Sequence, residues 1–450
     1  MMTIGPGGFS RRFPRVIVVA LLAAVLLGGV TMHAAEGYLD PSFGTGGIVT
    51  TDISNNNDAA KSVAIQPDGM IVVAGSSGHK PQSNLVAARY EEDGTLDTNF
   101  GVNGIVTTTI QASDFGNSVA IQPDGMVVVV GGSCNLPESV CYFAVTRYTI
   151  TGTLDSTFGA GGIVTTAIGN MSQAHSVIVQ SDGRIVAVGN SWSNDNSDFA
   201  VARYDSNGNL DTSFGLDGIV TTTLSGVDYG YSGAIQSDGK IVVAGTSESH
   251  FAVARYTVTG TLDSTFGSGG TVTTTIDDSD DATSLGRSVV LLPNDKIIVA
   301  GSNWSANNSD FAVVRYHSNG DLDTSFGSGG IVVTDLIGSR THDEVYTVAL
   351  QPDGRIIVGG TSCCPSNDLY DLAIVRYLSD GSPDSSFGIE GVTITSLGIG
   401  DEAGRSVAIQ PDGNIVLVGY TYNGKNYDFI ITRYLVFQHK VYLPVMLKHQ

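Results

Sequence analysis

One pattern recurs seven times along this chain, and that recurrence limits what it can fold into more than any other feature. A Leu-Asp-x-x-Phe-Gly-like element places Phe43, Phe100, Phe158, Phe214, Phe266, Phe326 and Phe387. A Gln-Pro-Asp-Gly-like turn carries Asp68, Asp124, Asp182, Asp238, Asp353 and Asp412, with Asn294-Asp295 in the altered copy. An Ala-x-Arg-Tyr-like segment gives Arg89, Arg147, Arg203, Arg255, Arg315, Arg376 and Arg433. A unit of about 57 residues cannot bury its own apolar face, so each copy must stack on its neighbours.

Within a unit the signals are those of strands. Ser62 to Gln66 and Met70 to Ala74 are β-branched-rich runs joined by Pro67-Asp68-Gly69, which predicts a tight hairpin. Leu85 to Tyr90 and Ile105 to Thr109 supply a third and a fourth strand, and helical periodicity is absent beyond the first 35 residues. Runs such as Met126 to Val130 are apolar on both faces, so both faces of each sheet must be covered. The expected fold is therefore all-β: a seven-bladed β-propeller, four antiparallel strands per blade, over residues 37–434.

The ends of the repeat array argue for closure. Six of the arginines precede a Leu-Asp-type aspartate by eight residues, as in Arg89 and Asp97. Arg433 has no such aspartate, because Val441 stands there, and Asp40 has no arginine ahead of it. Each completes the other if the N-terminal segment Leu39 to Thr51 adds the outer strand to the last blade, which removes open sheet edges. An Asp40–Arg433 ion pair is the predicted mark of that clasp.

The run Gln236-Ser237-Asp238-Gly239-Lys240-Ile241-Val242-Val243-Ala244-Gly245, followed by Phe251 to Tyr256 and Leu262-Asp263-Ser264-Thr265-Phe266-Gly267, resembles the delta-60 repeat of secreted and surface bacterial proteins. The resemblance covers Gly37 to Tyr434. It implies no common reaction. The order of elements is more distantly similar to NHL-repeat propellers, which implies that the Ser-Val-Ala-Ile-Gln strand is innermost. Only the copy with Leu292-Pro293-Asn294-Asp295 departs, which puts its hairpin turn type in question.

Residues 1–35 read as a signal peptide: Arg11, Arg12 and Arg15 precede an apolar run from Val16 to Val30 and small residues at Ala34 and Ala35. A non-cleaved anchor and a twin-arginine signal are the alternatives. Cleavage would take the formal charge from −22 to −25. Such a charge repels polyphosphate and excludes a nucleic-acid surface. No membrane span is expected in the mature chain, which should be secreted or held at the bacterial cell surface, as a monomer.

Comparison among the seven copies locates function. All length variation falls in the fourth-to-first connections between blades and the second-to-third loops within them. In an up-and-down blade these share one rim, where recognition is usually built. Four residues before the innermost strand's Ser or Thr stand Asp58, Asp114, Ser172, Asp228, Ser284, Asp343 and Glu402, which places five carboxylates around the channel mouth or, alternatively, uses them to cap strand starts. Immediately before that strand come Lys61, Asn117, His175, Tyr231, Arg287, Tyr346 and Arg405, expected to crowd the axis. Trp192 and Trp304 fall on the same rim, to stack on a ligand or to pack over blade edges. The repeated Arg and Asp residues are structural, since a motif in every blade cannot define one site.

Chemical motifs are weak. Asp205 to Asp211 alternates oxygen ligands like a calcium loop but fits an Asx-rich turn, and Asp277, Asp278, Asp280 and Asp281 fit a solvated loop. No cofactor is expected beyond an optional calcium ion, and no other metal. Cys134 and Cys141 can close one loop with a disulfide, whereas Cys363 and Cys364 form a vicinal bridge or remain thiols. Residues 435–450 form a C-terminal tail outside the blades. The expected function is a non-catalytic binding or interaction module for an extracellular ligand, glycan or protein. The rivals are an extracellular lyase or hydrolase of a polysaccharide or small ester, with His175 as base, and a structural envelope protein.

Overall fold

A computed structural model describes residues 36–436, apart from 80, 136–139, 194–195, 278, 280–281, 306–307, 339–340, 364–368 and 399. Residues 1–35, read above as a signal peptide, most of the tail, Cys364, Asp278, Asp280 and Asp281 lie outside the described residues. The fold is all-β: seven four-stranded antiparallel sheets, each a blade. Blade one runs Asn57–Ile65, Ile71–Gly78, Asn84–Tyr90 and Ile105–Thr108, and five more follow in the same order. The seventh takes Glu402–Ile409, Ile415–Tyr422 and Tyr427–Tyr434 from the far end of the chain and Ile48–Thr51 from the near end.

The clasp forms as the orphan spacing requires. Ile48 pairs with Thr432 and Thr51 with Phe429. The Asp40 amide donates to the Arg433 carbonyl at 2.8 Å, and Arg433 donates through Nε to Asp40 Oδ2 at 2.9 Å. Arg433 also lies over the Phe43 ring, 4.7 Å from its centroid, and donates to the Glu92 carbonyl of blade one. The same assembly recurs in the other blades: Arg89 pairs with Asp97 at 2.6 Å, stacks on Phe100 and donates to the Ile150 carbonyl of the next blade, while Arg376 reaches the Glu36 carboxylate in place of a carbonyl. A buried guanidinium needs a carboxylate, and here its remaining N–H groups stitch one blade to the next.

Two further rings of contacts close the circle. The tyrosine after each arginine is buried, and its hydroxyl meets a threonine on the preceding blade's outer strand, as Tyr90 does with Thr51 and Tyr434 with Thr395. Ser62 accepts from the Val119 amide of the next blade, and Ser406 accepts from Val63 across the closure. Blade five keeps its hairpin despite the altered turn. The Asp295 amide donates to Leu292 at 2.9 Å with φ 60°, the left-handed conformation that glycine adopts in the sister turns.

The two variable loop types do meet on one rim. The Asp114 amide, where a first strand begins, donates to Ser83 of the preceding blade's second-to-third loop, and Ser309 donates likewise to Thr341. The Cys134–Cys141 disulfide is present and pins the ends of one such loop. Cys363 is buried.

Candidate functional site

In all seven blades the first strand carries a β-bulge at one place: between Ala60 and Ser62, Gly116 and Ser118, Ala174 and Ser176, Gly230 and Ser232, Gly286 and Ser288, Val345 and Thr347, and Gly404 and Ser406. A bulge drops one residue from the ladder and re-aims its side chain. The dropped residues are Lys61, Asn117, His175, Tyr231, Arg287, Tyr346 and Arg405. All seven line one cavity of about 350 Å³ on the axis, joined by Tyr420 from the second strand of blade seven. The first strand is therefore innermost.

The lining is tied together side by side. Lys61 Nζ donates to Asn117 Oδ1 at 2.9 Å, and Asn117 Nδ2 to the Ala174 carbonyl at 2.8 Å. His175 Nε2 meets Asn190 Oδ1 at 2.7 Å, and its ring lies 5.4 Å from that of Tyr231. The Arg287 guanidinium sits 4.9 Å from the Tyr231 ring and 5.4 Å from that of Tyr346. Arg405 stacks on Tyr346 at 3.8 Å and donates to the Tyr420 hydroxyl at 2.9 Å; among the described residues no carboxylate lies within ion-pair distance of it. Glu344 takes the Tyr346 hydroxyl instead. Burial pushes the Lys61 ammonium down to about 8, with Arg405 adding to the effect. Burial also pushes His175 down to about 4, against its bond to Asn190 and helped by Lys61 and Arg287. Its imidazole is neutral at pH 7.

The five carboxylates expected around the mouth are elsewhere. Asp58, Asp114, Asp228, Asp343 and Glu402 have no exposed surface and do not line the cavity. Asp114 accepts from the Ile110 and Gln111 amides and from Ser133 Oγ, Asp58 from Ile53, Asp228 from Leu224 and Asp343 from Leu336. They cap the connection that enters the strand. An odd spacing of three residues puts Asp58 and Lys61 on opposite faces, which is why both cannot serve the channel.

Two of these acids meet others. Asp58 converges with Asp52 and Asp428, and Asp343 with Asp310 and Asp335, each set holding its ligand atoms within 4.8 Å of one another. A hard cation such as calcium would find its donors there among the described residues. Burial, reinforced by Asp335 and Asp310, raises Asp343 to about 6. Glu402, raised to about 8 by burial and by Asp371, faces a second cavity of about 270 Å³ that shares Tyr346, Arg405 and Tyr420 with the first. The Asp205 loop is an Asx turn, its carboxylate taking the Asn207 and Asn209 amides.

Neither tryptophan stands on the axis. Trp192 meets Tyr229 edge-on at 6.1 Å, and Trp304 stacks on His342 at 5.5 Å, each on the following blade. His175 and His342 do not converge, and His250 turns to the Glu248 carbonyl. Tyr420 was not singled out by sequence reasoning. Its signal was available: the corresponding positions are Ser76, Gly132, Asn190, Thr246, Ser302 and Thr361, so one copy alone is large and aromatic.

Comparison with known proteins agrees with this architecture. A search of curated proteins finds no match. Among solved structures, a catalytically inactive virginiamycin B lyase from Staphylococcus aureus with quinupristin aligns at TM-score 0.50 and 11% identity, over 86% of this chain and 99% of that one. A protein of unknown function from Dyadobacter fermentans aligns at TM-score 0.45 and 11% identity, over 87% and 100%. The polysaccharide lyase Uly1 aligns at 0.48 and 10%, over 90% and 94%. At such identities the first of these speaks to fold alone, and the other two carry no argument. Residues 66–100, 180–214, 236–266, 292–326, 351–387 and 410–435 match the family model described as "Domain of unknown function (DUF5122) beta-propeller". Those six matched segments lie within the closed ring of seven like blades and agree with its reading as a repeat β-propeller.

Proposed function

We propose that the chain is a non-catalytic binding module, secreted or held at the cell surface, whose extracellular ligand seats in the axial cup. On the residues quoted above, its repeats are assigned to the delta-60 type. The observation that carries the reading is the ring of bulges: one framework delivers seven side chains to the axis, and those seven differ from blade to blade. A structural role alone asks for no such variety at a shared, solvent-reached position. One solved neighbour is a lyase, and an extracellular lyase or hydrolase is the second reading. Against it, His175 is held down to about 4 by burial and by Lys61 and Arg287, whereas an effective general base has a pKa near the working pH.

The test is a glycan and peptide binding screen on the full chain beside Asn117→Phe, which fills the cup and removes no cation, though it takes away the Lys61 acceptor. Binding in the cup predicts a loss of about 10-fold or more in affinity for whichever compound the screen returns. Unchanged affinity, with an unchanged melting curve, would place the ligand elsewhere.

A further inference from the structure

We infer that the cup recognises an anionic sugar, through a carboxylate or sulfate group held by Arg287, Arg405 and Lys61. This rests on the reading of the cup as the binding site and names what it binds. The charge balance is the starting point. The chain carries −22 overall, yet three cations converge at the axis and no carboxylate lines that cavity. Among the described residues, every arginine other than Arg287 and Arg405 lies within ion-pair distance of an acid. A protein this acidic gives its guanidinium groups an ion-pair partner almost everywhere and leaves these two, on either side of Tyr346, without one in direct contact, Glu344 acting on Arg405 only from a distance.

Those cations also act on one another. Arg405 weighs on Lys61, and both Lys61 and Arg287 weigh on His175, so Lys61 and His175 are held less basic. Mutual repulsion at half-buried positions is a standing cost, and an oxyanion placed among them removes it. Guanidinium forks match the two oxygens of a carboxylate or sulfate, and their charge-assisted bonds are the strong ones.

The walls select the carrier of that charge. Tyr231, Tyr346 and Tyr420 line the same cavity. Aromatic surfaces of this kind suit the apolar face of a sugar ring while the acid turns to the arginines. A cavity of about 350 Å³ lies at the small end of small-molecule sites, roughly 300–1,000 Å³, and admits one or two rings but no folded epitope.

Isothermal titration of the full chain at low salt decides it, with a galacturonate trimer, glucose 6-sulfate, a neutral galactose trimer and a tetraglutamate peptide as probes. The uronate or the sulfated sugar should bind at least ~10-fold tighter than the neutral trimer, and added salt should weaken it. Arg287→Gln and Arg405→Gln should each cost ~10-fold, with partial recovery in Arg405→Lys. Lys61 faces Phe115, Asn117, His175 and Arg405, so affinity should also fall as the pH rises through about 8 and its charge is lost. Neutral sugar binding as tightly as the acid, or glutamine variants binding like the wild type, would overturn the assignment. So would a tighter fit for tetraglutamate. If the neutral trimer binds and Asn117→Phe abolishes it, the cup stands and the anion falls; if an acid binds and Asn117→Phe leaves it untouched, the cup falls too.

Discussion

Asp40→Ala should lower the unfolding free energy by about 3–5 kcal/mol, because it leaves the buried Arg433 guanidinium without a counter-charge, facing only an aromatic ring, a blade-one carbonyl and the Ser42 hydroxyl. The six sister pairs each lie within one continuous stretch of chain. Asp40 and Arg433 join its two ends, so the loss should fall on ring closure. Denaturant unfolding and light scattering would read both effects: an earlier midpoint, and aggregation through the outer edge of the seventh blade once Ile48–Thr51 leaves it. Asp40→Ala with Arg433→Met should restore much of the stability, since no unpaired charge remains. Burial works to raise the Asp40 pKa, but its bonds from Ser42 and the Arg433 charge outweigh that and hold it below the ordinary 3.8. A depressed carboxylate stabilises fully above its unfolded value and loses that contribution as the pH falls through the folded one. The gap between wild type and variant should therefore narrow in acid below 3.8. A variant as stable as the wild type, or one that scatters no more than Asp97→Ala, would dismiss the clasp as the closing element.

Gly301→Ala is expected to be as damaging for a different reason. Gly301 pairs with Gly286 beside the bulge that turns out Arg287. A Cβ there would stand 1.9 Å from the Leu285 carbonyl oxygen, a backbone atom that cannot swing away. The strand must part or the bulge must shift, at a cost of about 3 kcal/mol or more. Equivalent contacts exist at Gly131, Gly189, Gly245, Gly360 and Gly419, each against the carbonyl two residues before the bulged one. Thermal melting checks the stability, and titration with whichever probe binds the wild type checks whether Arg287 still reaches the cup. A melting curve unchanged by the substitution would show that the glycine is not required by the bulge.

Much of this molecule can be read from spacing. The unvarying eight residues from arginine to aspartate, with Arg433 and Asp40 left over, announced the ring and its closure before any coordinates. The axial placement of Lys61, His175 and Arg405 was equally legible, since they precede an alternating strand in every copy. The sign of the mouth was not. Asp58 and its counterparts were read either as standing at the channel mouth or as caps of the strand starts, and their hydrogen bonds are those of caps. A bulge leaves no residue signature of its own: its trace here is the glycine opposite, which the carbonyl would otherwise strike, and that trace resembles any glycine in a strand. The meeting of Asp52 with Asp428 was hidden for another reason, because one comes from each end of the chain.

Because the residue at each bulge takes no part in cross-strand pairing, its identity is largely decoupled from whether the sheet forms. The ring thus offers seven letters that can be rewritten one at a time over an unchanged scaffold. A combinatorial library confined to those positions should retain the fold in most members while its specificity drifts, and relatives that keep the same repeat could come to hold quite different molecules at the centre.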